Sequence, residues 1–214
     1  MLLTVEEIKK EVFSQFDGLD PGKVVLFEID RDDKLVENYT LVYFPEGDVI
    51  NNLESEVGQI KSIQNDLFFL EREKWHITMI GEIGLEIDEK KLIDVIKNEL
   101  LDMKITFNVT GYASNKSTAS FLTYPDFDLH SFRENIRQKL GIAGTDYTIH
   151  LSVYEFMGWI NFVRYISVPN IKFFEYIKER RDVDFGNINS GKLKLLRNRS
   201  RTLRDGEFEV VHEF

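Results

Sequence analysis

The chain has 214 residues, of which 43% are hydrophobic and 30% are charged, as in ordinary globular domains. It contains no cysteine, which excludes disulfides, thiol nucleophiles and cysteine-ligated metals. A net charge of −10 argues against extended, sequence-independent binding to nucleic acid. The chain has no apolar run near the ~18 residues of a membrane span, so we expect a cytoplasmic protein without membrane contact.

Helices and strands alternate in the first half of the predicted order. Thr4 and Glu7 form a capping-box pattern, which predicts a helix that Gly18 ends. We then expect strands over 24–29 and 39–44, an amphipathic helix around 49–60, the strand of a first histidine motif, and a helix over 87–101.

The second half repeats this alternation. A helix that Asp128 caps and Gly141 ends is expected, with His130 as a surface residue in its first turn. Around it we expect strands over 104–111 and 119–124, the strand of a second motif, an irregular apolar stretch over 156–168, a helix over 170–181, and strands over 192–197 and 207–213.

Two short stretches of the chain match each other. Each has a histidine with a hydroxyl residue two positions later, and apolar residues frame both: His76 with Thr78, and His150 with Ser152. Because side chains on a strand alternate between faces, each pair shares one face and the apolar neighbours share the other. Two such pairs facing each other suit cleavage of a phosphodiester; the alternative is that each histidine is structural, bonded to a neighbouring hydroxyl.

The pattern predicts an α+β fold with internal duplication. We expect a bilobal arrangement of two antiparallel-type sheets around a central cleft, with the motif strands side by side and the helices outside. Residues 1–22 would form an N-terminal helical extension and residues 23–214 a single bilobal domain, whose halves cover about 23–103 and 104–214.

The two motifs resemble those of the two-histidine (2H) phosphoesterase superfamily, which includes LigT-like 2′-5′ RNA ligases and cyclic phosphodiesterases. The similarity extends to the order of elements and covers roughly 23–214. It implies His76 and His150 as the catalytic pair, and Thr78 and Ser152 as hydrogen-bond donors to phosphate, with no metal or cofactor. The implied activity is hydrolysis of 2′,3′-cyclic phosphate or 2′-5′ bonds in nucleotides or short RNA, with 2′-5′ ligation as the reverse reaction.

The chemistry of histidine agrees with this implication, since a pKa near 6.5 suits both an acid and a base at neutral pH. A metallohydrolase would need more ligands than two strand histidines, and a serine hydrolase would need a Gly-x-Ser-x-Gly turn that the chain lacks. A module that binds nucleotides or RNA ends in the same cleft without turnover stays open as the alternative.

Basic residues are concentrated near the C-terminal end. Residues 172–204 contain ten basic and four acidic side chains, a balance of +6 that leaves −16 elsewhere. We expect Lys192 and Lys194, on one face of a strand, to be candidate substrate contacts together with Tyr154, although a solvated basic face fits equally well. The sequence leaves open the physiological substrate, the division of acid and base roles, the role of the N-terminal helix and the oligomeric state.

Overall fold

The computed structural model describes residues 3–28, 34–142, 153–200, 203 and 207–214. Five helices lie in these ranges: α1 (Val5–Asp17), α2 (Asp48–Ile63), α3 (Glu89–Leu100), α4 (Leu129–Leu140) and α5 (Ile171–Glu179). The strands are β1 (Lys34–Glu46), β2 (Phe68–Phe69), β3 (Ile77–Gly84), β4 (Phe107–Ser114), β5 (Thr118–Pro125), β6 (Gly158–Arg164), β7 (Asp184–Ile188), β8 (Ser190–Ser200) and β9 (Phe208–Glu213).

The strands form two antiparallel sheets that meet at one junction. The order is β7-β4-β5-β6-β3-β1-β8-β9, and β2 pairs with β6. The two sheets join where Ile77 of β3 pairs with Ile160 of β6. The predicted α+β class with antiparallel sheets is therefore confirmed.

The junction depends on a glycine. A Cβ atom on Gly158 would lie 2.4 Å from Cγ2 of Ile77 and 2.6 Å from Oγ1 of Thr123. Because residue 158 has no side chain, β6 can approach β3 closely.

Strand β3 lies between β1 and β6 at this junction. Ile77 pairs with Tyr43 of β1 on one side and with Ile160 of β6 on the other. Residues 149–152 lie outside the described residues, and Val153 begins a short 3-10 turn, Val153–Glu155. β6 falls in the stretch predicted to be irregular, where Ile160 and Phe162 are buried and Trp159 and Asn161 alternate with them.

Most of the core lies between the sheets and helices α2 to α5. Each of these helices contributes buried apolar side chains to one large cluster, among them Leu53, Ile96, Ile136 and Phe173. Helix α1 contributes Ile8 and Val12 to a smaller cluster on the second half. No helix among the described residues has both the length and the apolar character needed to cross a membrane.

Local sequence patterns predicted some helices and strands correctly and others wrongly. The capping box of Thr4 and Glu7 is present, and Gly141 ends α4 with a φ of +68°. The strand predicted over 24–29 is wrong as far as the structure describes it, because residues 24–28 lie outside the regular strands and Val25 is 55% exposed. Strand β7 was not predicted.

Candidate functional site

The cleft consists of two adjoining compartments. The first has a volume of about 430 Å³ and is lined by residues of β1, β3, β6 and β8, together with α4 and the 153–155 turn. His76 and Thr78 both line it. Trp75, Ile77 and Met79 are buried on the opposite face, so the predicted alternation of the first motif is confirmed.

The hydrogen bond of His76 defines its tautomer. Its Nδ1 lies 2.8 Å from the carbonyl oxygen of Lys74. A carbonyl oxygen only accepts, so Nδ1 carries the hydrogen and Nε2 of the neutral ring carries the lone pair. Burial lowers the pKa of His76 and the positive charge of Arg164 lowers it further, while the bond to Lys74 opposes them. His76 is therefore a neutral side chain at pH 7 that can accept a proton at Nε2.

The second motif lies outside the part of the chain that the structure describes, which covers neither His150 nor Ser152. Tyr154, a predicted substrate contact two residues later, does line the first compartment. Its hydroxyl donates to Oε1 of Gln15 at 3.0 Å, and burial raises its pKa.

Three arginines supply positive charge to the first compartment. Arg133 of α4 is 4% exposed and donates to the carbonyl oxygens of Thr78, Met79 and Tyr154 at 2.8, 2.6 and 2.6 Å. Its guanidinium thus fastens the strand of the first motif to the turn that follows the second. Sequence reasoning missed this role, because its partners are backbone atoms 21 to 55 residues away.

The other two arginines come from α4 and β6. Arg137 lies one helical turn after Arg133 and pairs with Glu155 at 3.0 Å, while Arg164 lies over the ring of Phe27 at 5.3 Å. Against these cations, the compartment wall contains two carboxylates, those of Glu82 and Glu155. The described lining therefore has a small positive balance within an acidic protein.

Lys192 and Lys194 lie elsewhere. Leu193 and Leu195 are buried on the other face of β8, as alternation predicts. The two lysines line a separate hollow beside Phe44, where they pair with Glu46 at 3.4 Å and with Glu213 at 2.6 Å. The described charge of the first compartment thus comes from α4 and β6, not from the basic segment over 172–204.

Two further side chains, those of Glu82 and Trp159, line the first compartment. Glu82 lies in a bulge, where two residues of β3 oppose Thr40 of β1, and has a φ of +59° that is unusual for a residue with a side chain. Trp159 of β6 is partly exposed, and its ring packs edge-on against that of Tyr154 with the ring centroids 5.3 Å apart. Both side chains reach the cleft because of local backbone geometry.

One described cluster has donors suited to a divalent cation. Ligand atoms of His130, Glu134 and Glu155 lie within 4.8 Å of one another. The guanidinium of Arg137, however, already contacts both carboxylates, at 2.6 and 3.0 Å. His130, predicted to be a surface residue, is partly buried, and its ring centroid lies 4.7 Å from that of Phe156.

Comparisons with known proteins give a likeness in structure and no match in sequence. No protein-family model and no curated protein matches the sequence. Among solved structures, the conserved protein of unknown function ATU0111 from Agrobacterium tumefaciens str. C58 is similar, with 10% identity and a TM-score of 0.48 over 82% of this chain and 84% of that chain.

Proposed function

We propose that the chain is a metal-independent phosphodiesterase that acts on 2′,3′-cyclic phosphate or 2′-5′ bonds of nucleotides or short RNA. In this proposal, the fold is a duplicated 2H-phosphoesterase-like arrangement, His76 and His150 exchange protons with the substrate, and Thr78 and Ser152 bind phosphate oxygens. The observation that carries it is a neutral, oriented His76 beside Thr78 in a cleft with three arginines.

The described groups suit the first chemical step. A neutral imidazole can take the proton of an attacking water or hydroxyl, which typically contributes ~10²–10⁴-fold to a rate. The oxygens of the pentacovalent phosphorus then gain negative charge, and a hydroxyl donor such as Thr78 stabilises that charge where it develops. Nearby guanidinium groups add to this stabilisation because they carry a permanent charge.

The leaving oxygen needs a proton from a second group, a role that the resemblance gives to His150. His150 precedes Tyr154 by four residues, a chain length of at most about 14 Å. Tyr154 lines the first compartment, so this chain length is short enough to allow His150 to reach it. The short separation supports the proposed pair.

Aromatic rings in the same cleft favour a nucleotide over a simple phosphate ester. Tyr154 and Trp159 both line the first compartment next to its cations. Stacking on such rings accepts any base, which fits a substrate defined by its phosphate linkage rather than by its sequence.

The alternative, a module that binds without turnover, also has an observation in its favour. At the junction with β3, strand β6 lines the cleft with the side chains of Trp159 and Asn161. An aromatic ring and an amide bind ligands well but cannot exchange a proton near neutral pH.

The test is turnover of a 2′,3′-cyclic mononucleotide and a 2′-5′-linked dinucleotide in the presence of millimolar EDTA, with the phosphate position of the product read out. His76→Ala and His150→Ala should each lower turnover by at least ~10²-fold. His212→Ala, at a histidine on β9 outside the cleft, is the matched control and should leave turnover intact. Saturable binding without turnover would favour the binding module, and absence of both would overturn the proposal.

A further inference from the structure

The second compartment lies beside the first. Its volume is about 460 Å³, and it extends over β4, β5 and β6. The two compartments share the side chains of Glu82, Tyr154, Trp159, Asn161 and Arg164. A ligand held at His76 can therefore continue past these shared residues into a second space of similar size.

The walls of the second compartment are mostly uncharged. One side carries the hydroxyls and amide of Ser114, Asn115, Thr118 and Ser120, and another side is apolar. Among its described lining residues, only the shared Glu82 and Arg164 are charged. Such a mixture of apolar surface and a few hydrogen-bonding groups suits a sugar and base rather than a second phosphate.

Asn161 lines both compartments, and two hydrogen bonds fix the orientation of its side-chain amide. Its Oδ1 accepts a hydrogen bond from Ser120 at 2.6 Å and a longer one from Thr118 at 3.4 Å. Because the hydroxyls occupy its oxygen, the amide offers Nδ2 as a donor to the cleft. A donor at this boundary suits an acceptor oxygen of a ribose or phosphate that joins two nucleosides.

Helix α1 completes this compartment. Val12 lines it directly and packs in the same cluster as Leu122 and Met157. Gln15, one turn further along α1, accepts the hydrogen bond of Tyr154 and so holds a ring that both compartments share. The N-terminal helix is therefore part of the wall of the cleft.

We propose that the second compartment binds the nucleoside on the far side of the phosphate, and that α1 thereby makes the site selective for a dinucleotide or an RNA end over a mononucleotide. This inference rests on the proposed function. Its observable consequence is a difference in affinity between one-nucleoside and two-nucleoside ligands, which does not require turnover.

The test compares binding of a 2′,3′-cyclic mononucleotide and a 2′-5′-linked dinucleotide by calorimetry, using the full chain. Ala113 lines the second compartment and is absent from the described lining of the first, so Ala113→Phe fills that space selectively. We expect the parent to bind the dinucleotide at least ~10-fold more tightly, and Ala113→Phe to remove that advantage. Ala113→Ser keeps the space open and should behave as the parent.

Three results would overturn the inference in distinguishable ways. Equal affinity of the parent for both ligands would remove the second subsite and leave the proposed function standing. An Ala113→Phe protein that retains the parent's thermal unfolding and its preference for the dinucleotide would do the same. Failure of the parent to bind either ligand would overturn the proposed function itself.

Discussion

Replacement of Arg133 by methionine should destabilise the protein severely. Methionine has a similar length but donates no hydrogen bond, so the carbonyl oxygens of Thr78, Met79 and Tyr154 each lose a donor. An unsatisfied buried carbonyl costs about 1–3 kcal/mol. Water from the adjoining cleft can replace part of this loss, so we expect the low end of the sum over three carbonyls, about 3 kcal/mol.

Chemical unfolding followed by circular dichroism measures this loss of unfolding free energy, provided that the slope of that free energy against denaturant concentration is the same in the variant and the parent. Lys139→Met is the matched control, because Lys139 lies on the same helix, is largely exposed and pairs with Glu99 at the surface. It should cost less than about 1 kcal/mol. A loss for Arg133→Met that is no larger than that of Lys139→Met would refute the view that Arg133 holds the two segments together.

Three other predictions concern the site and the junction. Thr78→Ala should lower turnover by roughly 10–10²-fold with little change in unfolding free energy, because it loses a donor to the phosphate; an unaltered rate would make Thr78 structural. The pKa of His76 in the folded protein is below its unfolded value near 6.5, so the stability associated with the neutral ring is complete above pH 6.5 and is lost as pH falls through the folded pKa. His76→Asn should therefore reduce the loss of unfolding free energy at acid pH. In the parent, the acid limb of the kcat/KM profile should lie below pH 6.5. Gly158→Ala should lower the free energy of unfolding by about 1–3 kcal/mol, because the new methyl group would crowd Ile77. Gly58→Ala, at an exposed helical position with open space around it, should be neutral or stabilising. Equal effects of the two substitutions on unfolding would contradict the close approach of β6 to β3.

Local signals predicted the parts of the fold that depend on neighbouring residues. The cap of α1 and the stop of α4 require only residues a few positions apart, and both were correct. The strand at 24–29 failed because an apolar run does not reveal whether a partner strand exists; the amides of Val25 and Phe27 instead donate to isolated carbonyls of Lys116 and Tyr165.

The candidate site likewise has features that could be predicted from local sequence and features that could not. Alternation alone placed His76 and Thr78 on one face, because it is a property of a single strand. The arginines could not be assigned to the cleft, because Arg133 owes its position to backbone atoms on β3 and near the 153–155 turn. One signal was nevertheless available: Arg133 and Arg137 lie four residues apart beside the apolar face of α4, which marks a partly covered side of that helix.

Catalysis and binding make different demands on this cleft. A site that only holds an anion needs donors and positive charge, and a protonated histidine would serve it better than a neutral one. Here burial and Arg164 both favour the neutral form of His76, which weakens its attraction for phosphate. A neutral imidazole with its lone pair fixed at Nε2 is useful when a proton has to be accepted during a reaction. The state of His76 is therefore the described feature that supports the proposed turnover, whereas the aromatic ring and the amide on β6 suit either role.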